Sequence, residues 1–395
     1  MKKRRAAVTG LGCICAAGST VEETMRSLYA GERNPAPPVL VRTDIEKISP
    51  VFEIFSDFTG EGEGRNATRT TLLAIQAARE ALAQAGLDAA ALKAARVGVI
   101  VGTTVGCTLN NEQFCREYRL SQKPDVSPVT RFHANNPALH LAGLFGCGGP
   151  AMTVANACSS GTDAVGIAKH WIETGLCDIV IAGGSDELCR TTYIGFTCLM
   201  ITSQEPCRPF DRNRKGLNLG EGAGILIIED HESARNRGAR ALAFINGYGS
   251  SADAYHPTAP HPEGLGLRRA MKMALAEAGV AFGEVAFINA HGTSTVDNDK
   301  VEGKVIADLF PARIPVVSTK SYTGHTLGAA GAIEAVFTVK GLMDRRVPAT
   351  LGFEEGEGVI TPTVENTPVA GTTAISNSLA FGGNNAVLVV GMPSA

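Results

Sequence analysis

Cys158 stands in a run of small residues between a strand-like and a helix-like segment, a setting in which a thiol can act as a nucleophile. The apolar run 151–156 predicts a buried strand, and the apolar spacing over 161–171 predicts a helix. The thiol would then lie at a helix N-terminus, where unpaired N–H groups and the helix dipole favour the reactive thiolate. A buried structural cysteine is the commoner fate of this residue type, so Cys158 alone leaves both interpretations open.

Two histidines stand in similarly small, glycine-rich contexts after predicted strands. His291 follows the apolar run 285–290, and His325 follows the run 314–319 by a few residues. Ligands and catalytic groups collect at the carboxyl ends of parallel strands in α/β sheets, so we expect one thiol and two imidazoles to converge there. Isolated histidines are more often hydrogen-bonded structural residues, an alternative that three separate strand-end placements disfavour.

The composition limits the classes of function. A chain of 395 residues, 44% of them hydrophobic, can bury a large core. Its formal net charge of −3 gives no electrostatic reason to expect nucleic acid as a partner. The sequence contains no apolar run of about 18 residues or more, so no membrane span is predicted.

The N-terminus and the cysteines favour a cytoplasmic protein. The basic start 1–5 precedes a weakly apolar stretch that glycines interrupt, which predicts a first buried strand rather than a secretion signal. The ten cysteines include no CxxC pair and no zinc-ligand spacing. Most of them are therefore expected to be reduced core residues.

Strand-like apolar runs alternate with alanine-rich helical segments, a pattern typical of a mostly parallel α/β layered fold. Residues 68–85 predict an amphipathic helix that ends at Gly86, and residues 97–102 predict the strand after it. Further buried strands are predicted at 179–184 and 225–228. The second half repeats the same plan in sequence order, but the identity between the halves is too slight to predict a duplication from pattern alone.

Seven motifs, taken together, are similar to those of the β-ketoacyl-acyl-carrier-protein synthases, the elongating condensing enzymes of the thiolase superfamily. Each motif is weak alone, but their order and joint presence make chance agreement improbable. The resemblance extends from residue 8 to residue 391 and thus covers nearly the whole chain. The motifs lie at 157–161, 182–185, 208–211, 220–224, 291–295, 320–331 and 381–385.

The resemblance implies an α/β, thiolase-like, five-layered αβαβα fold built from two pseudo-repeats. The N-terminal half, 1–240, would carry the nucleophilic cysteine, and the C-terminal half, 241–395, would carry both catalytic histidines. Residues 30–66 and 103–150 are interpreted as insertions that cap the pocket and build a dimer interface.

The resemblance also implies roles for individual residues. The catalytic residues are Cys158, His291, His325 and Lys320. The backbone N–H groups of Cys158 and Phe381 form an oxyanion hole, and Phe381 is also the gate. Lys320 pairs with Glu334, and Asp299 and Glu302 join that network. Thr293 and Thr295 bind the phosphopantetheine arm. The acyl pocket is expected to include Cys107, Asn110, Asn111 and Phe196.

Four positions depart from the family pattern. Met200 stands where many relatives have a basic residue that docks the carrier protein. The basic contacts are then expected elsewhere, although a solvated basic face is the ordinary reading of such a cluster. The candidates for those contacts are Arg208, Arg212, Arg214 and Lys215. Ala380 replaces a common glycine next to the gate, and the loss of that glycine reduces backbone freedom. The pair Asn110 and Asn111 is more polar than a pocket for long saturated chains requires.

The implied function is acylation of Cys158 followed by decarboxylative Claisen condensation with a malonyl carrier protein, which extends an acyl chain by two carbons in fatty-acid biosynthesis. No metal or organic cofactor is expected in catalysis; the phosphopantetheine arm of the acyl carrier protein carries the substrates. The chain would act as a homodimer or as a heterodimer with a homologous chain-length subunit.

Several alternatives remain open. A type II polyketide or aryl-polyene ketosynthase subunit, working on unsaturated or poly-β-keto chains, fits the polar pocket segment and the variant runs 216–219 and 297–299. A thiolase would use a second cysteine and one histidine, and a starter-condensing synthase would have Asn in place of one histidine. A cysteine hydrolase would release simple acids. A non-catalytic chain-length partner would lack the nucleophile, so Cys158 argues against it.

Overall fold

The computed structural model of the chain describes residues 4–55, 67–106, 111–127, 129–130 and 136–393. Ten of its strands form one sheet, and two short strands pair separately. The strands are β1 Ala6–Cys15, β2 Val97–Gly102, β3 Ala151–Val154, β4 Ile179–Asp186, β5 Gly222–Asp230, β6 Ala243–Ala252, β7 Phe287–Asn289, β8 Val316–Val317, β9 Arg346–Val347, β10 Thr367–Pro368, β11 Thr373–Ala380 and β12 Asn384–Gly391.

Helices fill the connections between these strands. The α-helices are α1 Val21–Ala30, α2 Arg69–Ala85, α3 Ala89–Ala94, α4 Asn111–Ser121, α5 Pro137–Phe145, α6 Ser160–Glu173, α7 Arg190–Cys198, α8 His231–Asn236, α9 Leu265–Ala278, α10 Val296–Leu309, α11 Lys320–Thr323 and α12 Ala330–Asp344. Single 3-10 turns cover Phe282–Glu284, Leu327–Ala329 and Phe381–Gly383. The predicted helix over 68–85 is present as α2, and it ends at Gly86 as expected.

The order of strands in the sheet reveals an internal repeat. It runs β3-β2-β4-β5-β1-β6-β12-β11-β7-β8, so the second five strands mirror the first five. In each half the chain passes from the outermost strand into a central helix. The segment between β3 and α6 carries Cys158, and the segment between β8 and α12 carries His325. The two pseudo-repeats implied by the resemblance are therefore present in the fold.

The expectation of a mostly parallel sheet is wrong. The outer strand pairs of each half are parallel, whereas β4–β5, β5–β1, β1–β6, β6–β12 and β12–β11 are antiparallel. Strands covered by helices on both faces are apolar throughout whichever way they run, as β4 and β5 are here. Hydrophobic patterning therefore gave no signal for strand direction.

Helices α6 and α12 form the middle layer. Both contact strands from each half of the sheet, while α2 covers β1 and β5 and α9 covers β6 and β12 from outside. The two five-stranded halves of the sheet therefore form separate layers on either side of α6 and α12, and the order of layers is helix, half-sheet, helix, half-sheet, helix, as expected. The central helices approach closely because their contact residues are small. A Cβ added at Gly161 of α6 would lie 2.8 Å from the backbone nitrogen of Ala332 in α12 and 2.8 Å from the Gly328 oxygen in the turn before α12. This contact brings the turn before α6 beside the turn before α12.

All ten residues of β1 are buried in the middle of the sheet, as predicted for the first strand. Across the ranges that the structure describes, no helix combines the length and the apolar character needed to cross a membrane.

Candidate active site

Cys158 lies in the tight turn between β3 and α6. Ala157 before it has a φ of 50°, a left-handed conformation that is uncommon for a residue with a Cβ. Its carbonyl accepts hydrogen bonds from the backbone N–H of Ser160 at 3.2 Å and from the Ser160 hydroxyl at 2.6 Å. The turn thus holds the Cys158 side chain, only 4% exposed, against the wall of a cavity.

In the unacylated site Cys158 favours the protonated thiol and not the thiolate that the sequence predicts. Burial raises the pKa of the Cys158 thiol to about 11. The positive charge of Lys320 and the backbone N–H groups of Phe381 and of Cys158 itself act in the opposite direction, but they do not outweigh desolvation. At neutral pH the sulfur is therefore a protonated thiol with two N–H groups directed at it.

His291 and His325 face each other beside this thiol. Their ring centroids are 5.3 Å apart with an interplanar angle of 85°, and both line the same cavity as Cys158, whose volume is about 360 Å³. Glu302 of α10 fixes the turn that carries His291, because it accepts hydrogen bonds from the N–H groups of His291 and Gly292, each at 2.8 Å. The backbone N–H of His325 donates to the carbonyl of Asn218 at 2.7 Å.

Hydrogen bonds to Nδ1 determine which nitrogen of each imidazole carries the proton. The Nδ1 atom of His325 accepts the Leu327 backbone N–H at 3.1 Å, and Nδ1 of His291 lies 3.0 Å from the Lys320 ammonium. Burial and the Lys320 charge lower the pKa of both histidines well below the usual range, so both rings are neutral. Each ring therefore carries its proton on Nε2 and can donate it as a hydrogen bond.

Lys320 and Glu334 are partners in the buried layer behind the histidines. The Lys320 ammonium forms an ion pair with the Glu334 carboxylate and donates to the His291 carbonyl at 2.7 Å. Burial raises the pKa of Glu334 to about 7, against the opposing effect of the Lys320 charge. A buried ion pair without further hydrogen bonds is costly, and here the additional bonds go to a histidine.

Asp299 does not join that pair. Its carboxylate accepts hydrogen bonds from the backbone N–H of Phe210 at 2.7 Å and of Ser294 at 3.1 Å, and it lies 4.0 Å from Arg214. It therefore fixes the turn that carries Thr293 and Thr295. The hydroxyls of these two threonines are 2.8 Å apart, and both residues line the same cavity as the histidines.

Phe381 opens the 3-10 turn on the other side of the sulfur. Its ring stacks on Phe196 of α7 with centroids 5.4 Å apart, and both residues line the cavity. Ala380 has extended backbone, with φ −126° and ψ 153°, which alanine adopts without strain. The left-handed positions of the turn are Gly382 and Gly383. Alanine in place of glycine at position 380 therefore introduces no backbone strain in this conformation.

The predicted acyl-pocket wall is only partly covered by the structure. Phe196 lines the cavity, whereas Cys107 and Asn110 lie outside the described residues. Asn111 is the first residue of α4. Among the groups of His, Cys, Asp and Glu within the described ranges, none has an arrangement that could hold a metal ion.

Sequence reasoning missed Asp186, the last residue of β4. Its buried carboxylate accepts hydrogen bonds from the Thr103 hydroxyl at 2.5 Å and from the backbone N–H groups of Thr104 at 2.7 Å, Val105 at 3.2 Å and Gly328 at 2.6 Å. Asp186 thus joins the loop after β2 to the turn after His325. The sequence did contain a signal for this residue, since Asp186 is a carboxylate at the end of an otherwise mostly apolar strand.

Sequence reasoning also missed a pair of asparagines that connects the nucleophile turn to the gate turn. The Asn384 side-chain amide donates to the Asn156 side-chain oxygen at 2.6 Å. Asn156 in turn donates to Asp163 of α6 at 2.6 Å, and Asp163 also accepts from the Tyr248 hydroxyl at 2.7 Å. The turn of Cys158 and the turn of Phe381, whose N–H groups point at the sulfur, are therefore joined by a side-chain hydrogen bond.

Comparison with known families identifies this architecture. The model of the β-ketoacyl synthase N-terminal domain matches residues 3–234, and that of the C-terminal domain matches residues 242–354. The chain belongs to the β-ketoacyl synthase family. Membership makes this β-ketoacyl synthase an acyltransferase of the condensing type.

Individual relatives agree with that assignment. The 3-oxoacyl-[acyl-carrier-protein] synthase 2 of Vibrio cholerae serotype O1 is 34% identical over 415 residues, which cover 98% of this β-ketoacyl synthase and 99% of the relative. The solved structure titled the ishigamide ketosynthase/chain length factor matches with a TM-score of 0.92 and 33% identity, covering 99% of this chain and 100% of that one. A type II polyketide ketosynthase solved with its acyl-carrier protein and a bound hexaketide matches with a TM-score of 0.91 and 28% identity, covering 99% and 100%.

Proposed function

We propose that Cys158 holds an acyl chain as a thioester and that His291 and His325 activate a malonyl thioester for condensation with it. The observation that carries this proposal is the convergence of one thiol and two neutral imidazoles, each with an Nε2–H, on a single cavity. A nucleophile and separate donors for developing negative charge are what carbon–carbon bond formation between thioesters requires.

In the first step the Cys158 sulfur attacks the carbonyl carbon of the incoming acyl thioester. The N–H groups of Cys158 and Phe381 stabilise the oxyanion, and the bond between that carbon and the carrier's sulfur breaks. The thiol proton of Cys158 passes to the departing pantetheine thiolate, so the exchange of one thioester for another consumes no proton. The high pKa of the resting thiol suits a cysteine that loses its proton only during this exchange.

In the second step the malonyl thioester loses carbon dioxide. The electron pair of the breaking C–C bond moves to the thioester oxygen, where the Nε2–H groups of His291 and His325 stabilise the enolate. Neutral imidazoles suit this role because they donate hydrogen bonds without transferring a proton. Lys320 holds the His291 ring by donating to its Nδ1.

In the third step the enolate carbon attacks the acyl carbon held on Cys158. The new C–C bond forms, the C–S bond to Cys158 breaks, and the sulfur regains one proton from solvent. The product is a 3-oxoacyl chain on the carrier, two carbons longer. Thr293 and Thr295 support the phosphopantetheine arm from their position along the cavity.

The partner is the acyl carrier protein, which the names of the relatives print for those proteins. Its acyl and malonyl forms supply the two substrates of the steps above. Elongation in fatty-acid biosynthesis is the first candidate pathway. A type II polyketide or polyene pathway is the second, because the structural neighbours include a type II polyketide ketosynthase and the ishigamide ketosynthase/chain length factor. That title also supports a homologous chain-length subunit as an alternative to a homodimer.

We further propose that the halves 1–240 and 241–395 act as one catalytic unit, since the cysteine comes from the first and the histidines come from the second. A cytoplasmic location fits the cysteines of the described residues, which include several free, buried thiols and no disulfide.

Substitutions at the three central residues separate the steps. Cys158→Ala is expected to abolish acylation, measured by intact mass spectrometry, and to leave release of carbon dioxide from malonyl carrier protein. His291→Ala and His325→Ala are each expected to slow that release about 10²-fold to 10³-fold while Cys158 still becomes acylated. His170→Ala, on the exposed end of α6, is the matched control and should retain both activities. Full condensation by either active-site histidine variant would refute its role.

The acyl group retained by the purified protein distinguishes the pathways. A saturated chain on Cys158, identified by mass spectrometry, supports fatty-acid elongation. A polyunsaturated or poly-β-keto chain supports the second pathway. Co-purification of a homologous subunit would identify the heterodimeric alternative.

A further inference from the structure

Three exposed apolar side chains surround the entrance of the active-site cavity. Leu199 and Met200 follow the end of α7, and Val296 begins α10; all three line the cavity, and they are 47%, 88% and 55% exposed. Residues 216 and 217 join the two chain segments. The Leu217 N–H donates to the Ile201 carbonyl at 2.9 Å, and the Gly216 N–H donates to the Ser294 carbonyl at 3.1 Å. We call Leu199, Met200 and Val296 the mouth patch.

Met200 occupies a backbone position that ordinarily favours glycine. Its φ of 56° is left-handed, and its N–H donates to the Thr197 carbonyl at 2.9 Å, where α7 ends. A left-handed residue after a helix is usually glycine, because a Cβ there carries a steric cost. The Met200 side chain is almost fully exposed, so burial within the chain does not offset that cost. The side chain is instead presented outward at the entrance.

The basic residues expected to dock a carrier protein are engaged within the chain. Arg214 is buried and contacts Glu357 at 3.2 Å and backbone carbonyls. The other three are paired with glutamates: Lys215 with Glu205 at 2.7 Å, Arg212 with Glu355 at 2.6 Å and Arg208 with Glu354 at 3.5 Å. None of these four residues, which all lie in the described range 136–393, offers an unpaired cation to an acidic partner.

We propose that the mouth patch is the docking surface for the acyl carrier protein and that it recognises an apolar surface of that partner rather than its acidic groups. This inference rests on the proposed function, from which it takes the partner. A thioester tethered through a phosphopantetheine arm reaches Cys158 only when the carrier's own surface covers the entrance. The surface around the arm then meets Met200, because Met200, at 88%, is the most exposed of the large apolar residues that line the cavity.

The test measures the dissociation constant between this enzyme and the holo acyl carrier protein of the same organism. Met200→Gly and Met200→Glu are each expected to raise that constant about tenfold, since an apolar contact is lost. Met200→Gly should also leave the melting temperature unchanged or raise it, because glycine adopts the left-handed conformation without the steric cost of a Cβ. Val364→Glu, at a residue that is 59% exposed and does not line the cavity, is the matched control and should bind like the unsubstituted enzyme.

Salt dependence and one charge substitution provide the decisive outcomes. For apolar docking, the dissociation constant should change less than about threefold between roughly 0.05 and 0.5 M NaCl, because few charges are screened. Tighter binding by Met200→Arg, a steep loss of affinity with salt, or no binding by the unsubstituted enzyme would overturn the inference. Condensation of free acyl-pantetheine and malonyl-pantetheine needs no docking. Its absence would therefore count against the proposed function and not against the mouth patch.

Discussion

At the scale of single residues, the chemistry depends on which of several local effects is largest. The Cys158 thiol has a helix N-terminus, two N–H groups and a lysine nearby, yet burial still raises its pKa to about 11. The same burial lowers the pKa of His291 and His325 and keeps both rings neutral. The site therefore rests in an uncharged state around the reacting atoms, with the charge kept behind His291 on Lys320 and Glu334.

The residue types of this site could be predicted from the sequence, but their protonation states could not. Cys158, His291 and His325 each follow an apolar strand, a pattern visible in the printed chain. The tautomers depend on the Leu327 N–H and the Lys320 ammonium, whose positions arise only from folding. The desolvation that controls Cys158 likewise depends on residues distant in sequence.

The raised pKa of Cys158 predicts how the thiol reacts with an electrophile. Because the pKa is about 11, the thiolate fraction should increase about tenfold per pH unit from pH 7 to pH 10. The rate of alkylation of Cys158 by iodoacetamide, followed by peptide mass spectrometry, should therefore rise continuously over that range. A plateau at or below pH 8 would show instead that the resting sulfur is a thiolate.

At the scale of elements, the site is assembled at strand ends and joined by carboxylates. Glu302 of α10 binds the turn of His291, and Asp186 of β4 binds both the loop after β2 and the turn after His325. Helix α2 and its end at Gly86 could be predicted from local spacing and a terminal glycine. The hydrogen-bond partners of Asp186 could not be predicted from local sequence, because they lie more than 80 residues away along the chain.

Asp186→Asn should therefore disturb His325 through its turn. The amide would direct N–H groups at backbone N–H donors that the carboxylate now accepts, so we expect a loss of about 3 kcal/mol in the free energy of unfolding. Activity of the folded fraction should fall through kcat more than through KM, because the Gly328 turn positions a catalytic ring. Chemical denaturation and steady-state kinetics provide the two measurements.

Asp178→Asn is the matched control for that substitution. Asp178 is bound by Arg4 at 3.0 Å and Arg96 at 2.7 Å, but its side chain is 24% exposed and lies outside the cavity. Partly exposed ion pairs contribute about 1 kcal/mol or less, and kcat should not change. Equal effects of the two substitutions would show that Asp186 has no special relation to the active site.

At the scale of the whole molecule, the mirrored strand order determines where the reacting groups meet. The two pseudo-repeats place the turns before α6 and α12 side by side, so a cysteine from one repeat meets a histidine from the other. The same order leaves β3 and β8 at the two edges of the sheet. β8 has only two residues, whereas β3 has four, and its Met152 is 43% exposed although the neighbouring β2 is buried throughout. The longer edge is therefore available to another chain.

The hydrogen bonds of β3 show which of its groups face outward. The carbonyls of Pro150 and Val154 accept the N–H groups of Val99 and Thr103, each at 2.9 Å, so they point toward β2. Because backbone groups alternate along a strand, those of Ala151 and Thr153 point away from the sheet. An antiparallel copy of β3, or the equivalent strand of a homologous subunit, can pair with them.

Thr153→Pro tests this edge without removing a bond to β2. If two copies of the chain pair through β3, the unsubstituted protein has twice the chain mass of 41.2 kDa, and Thr153→Pro, which lacks the outward N–H, should have the single mass. Thr153→Ala loses only the hydroxyl bond to the Asn136 side chain at 2.5 Å and should keep the larger mass. Native mass spectrometry distinguishes the two. If Thr153→Pro retains the double mass, subunits associate through another surface, and the exposed edge of β3 has no part in holding them together.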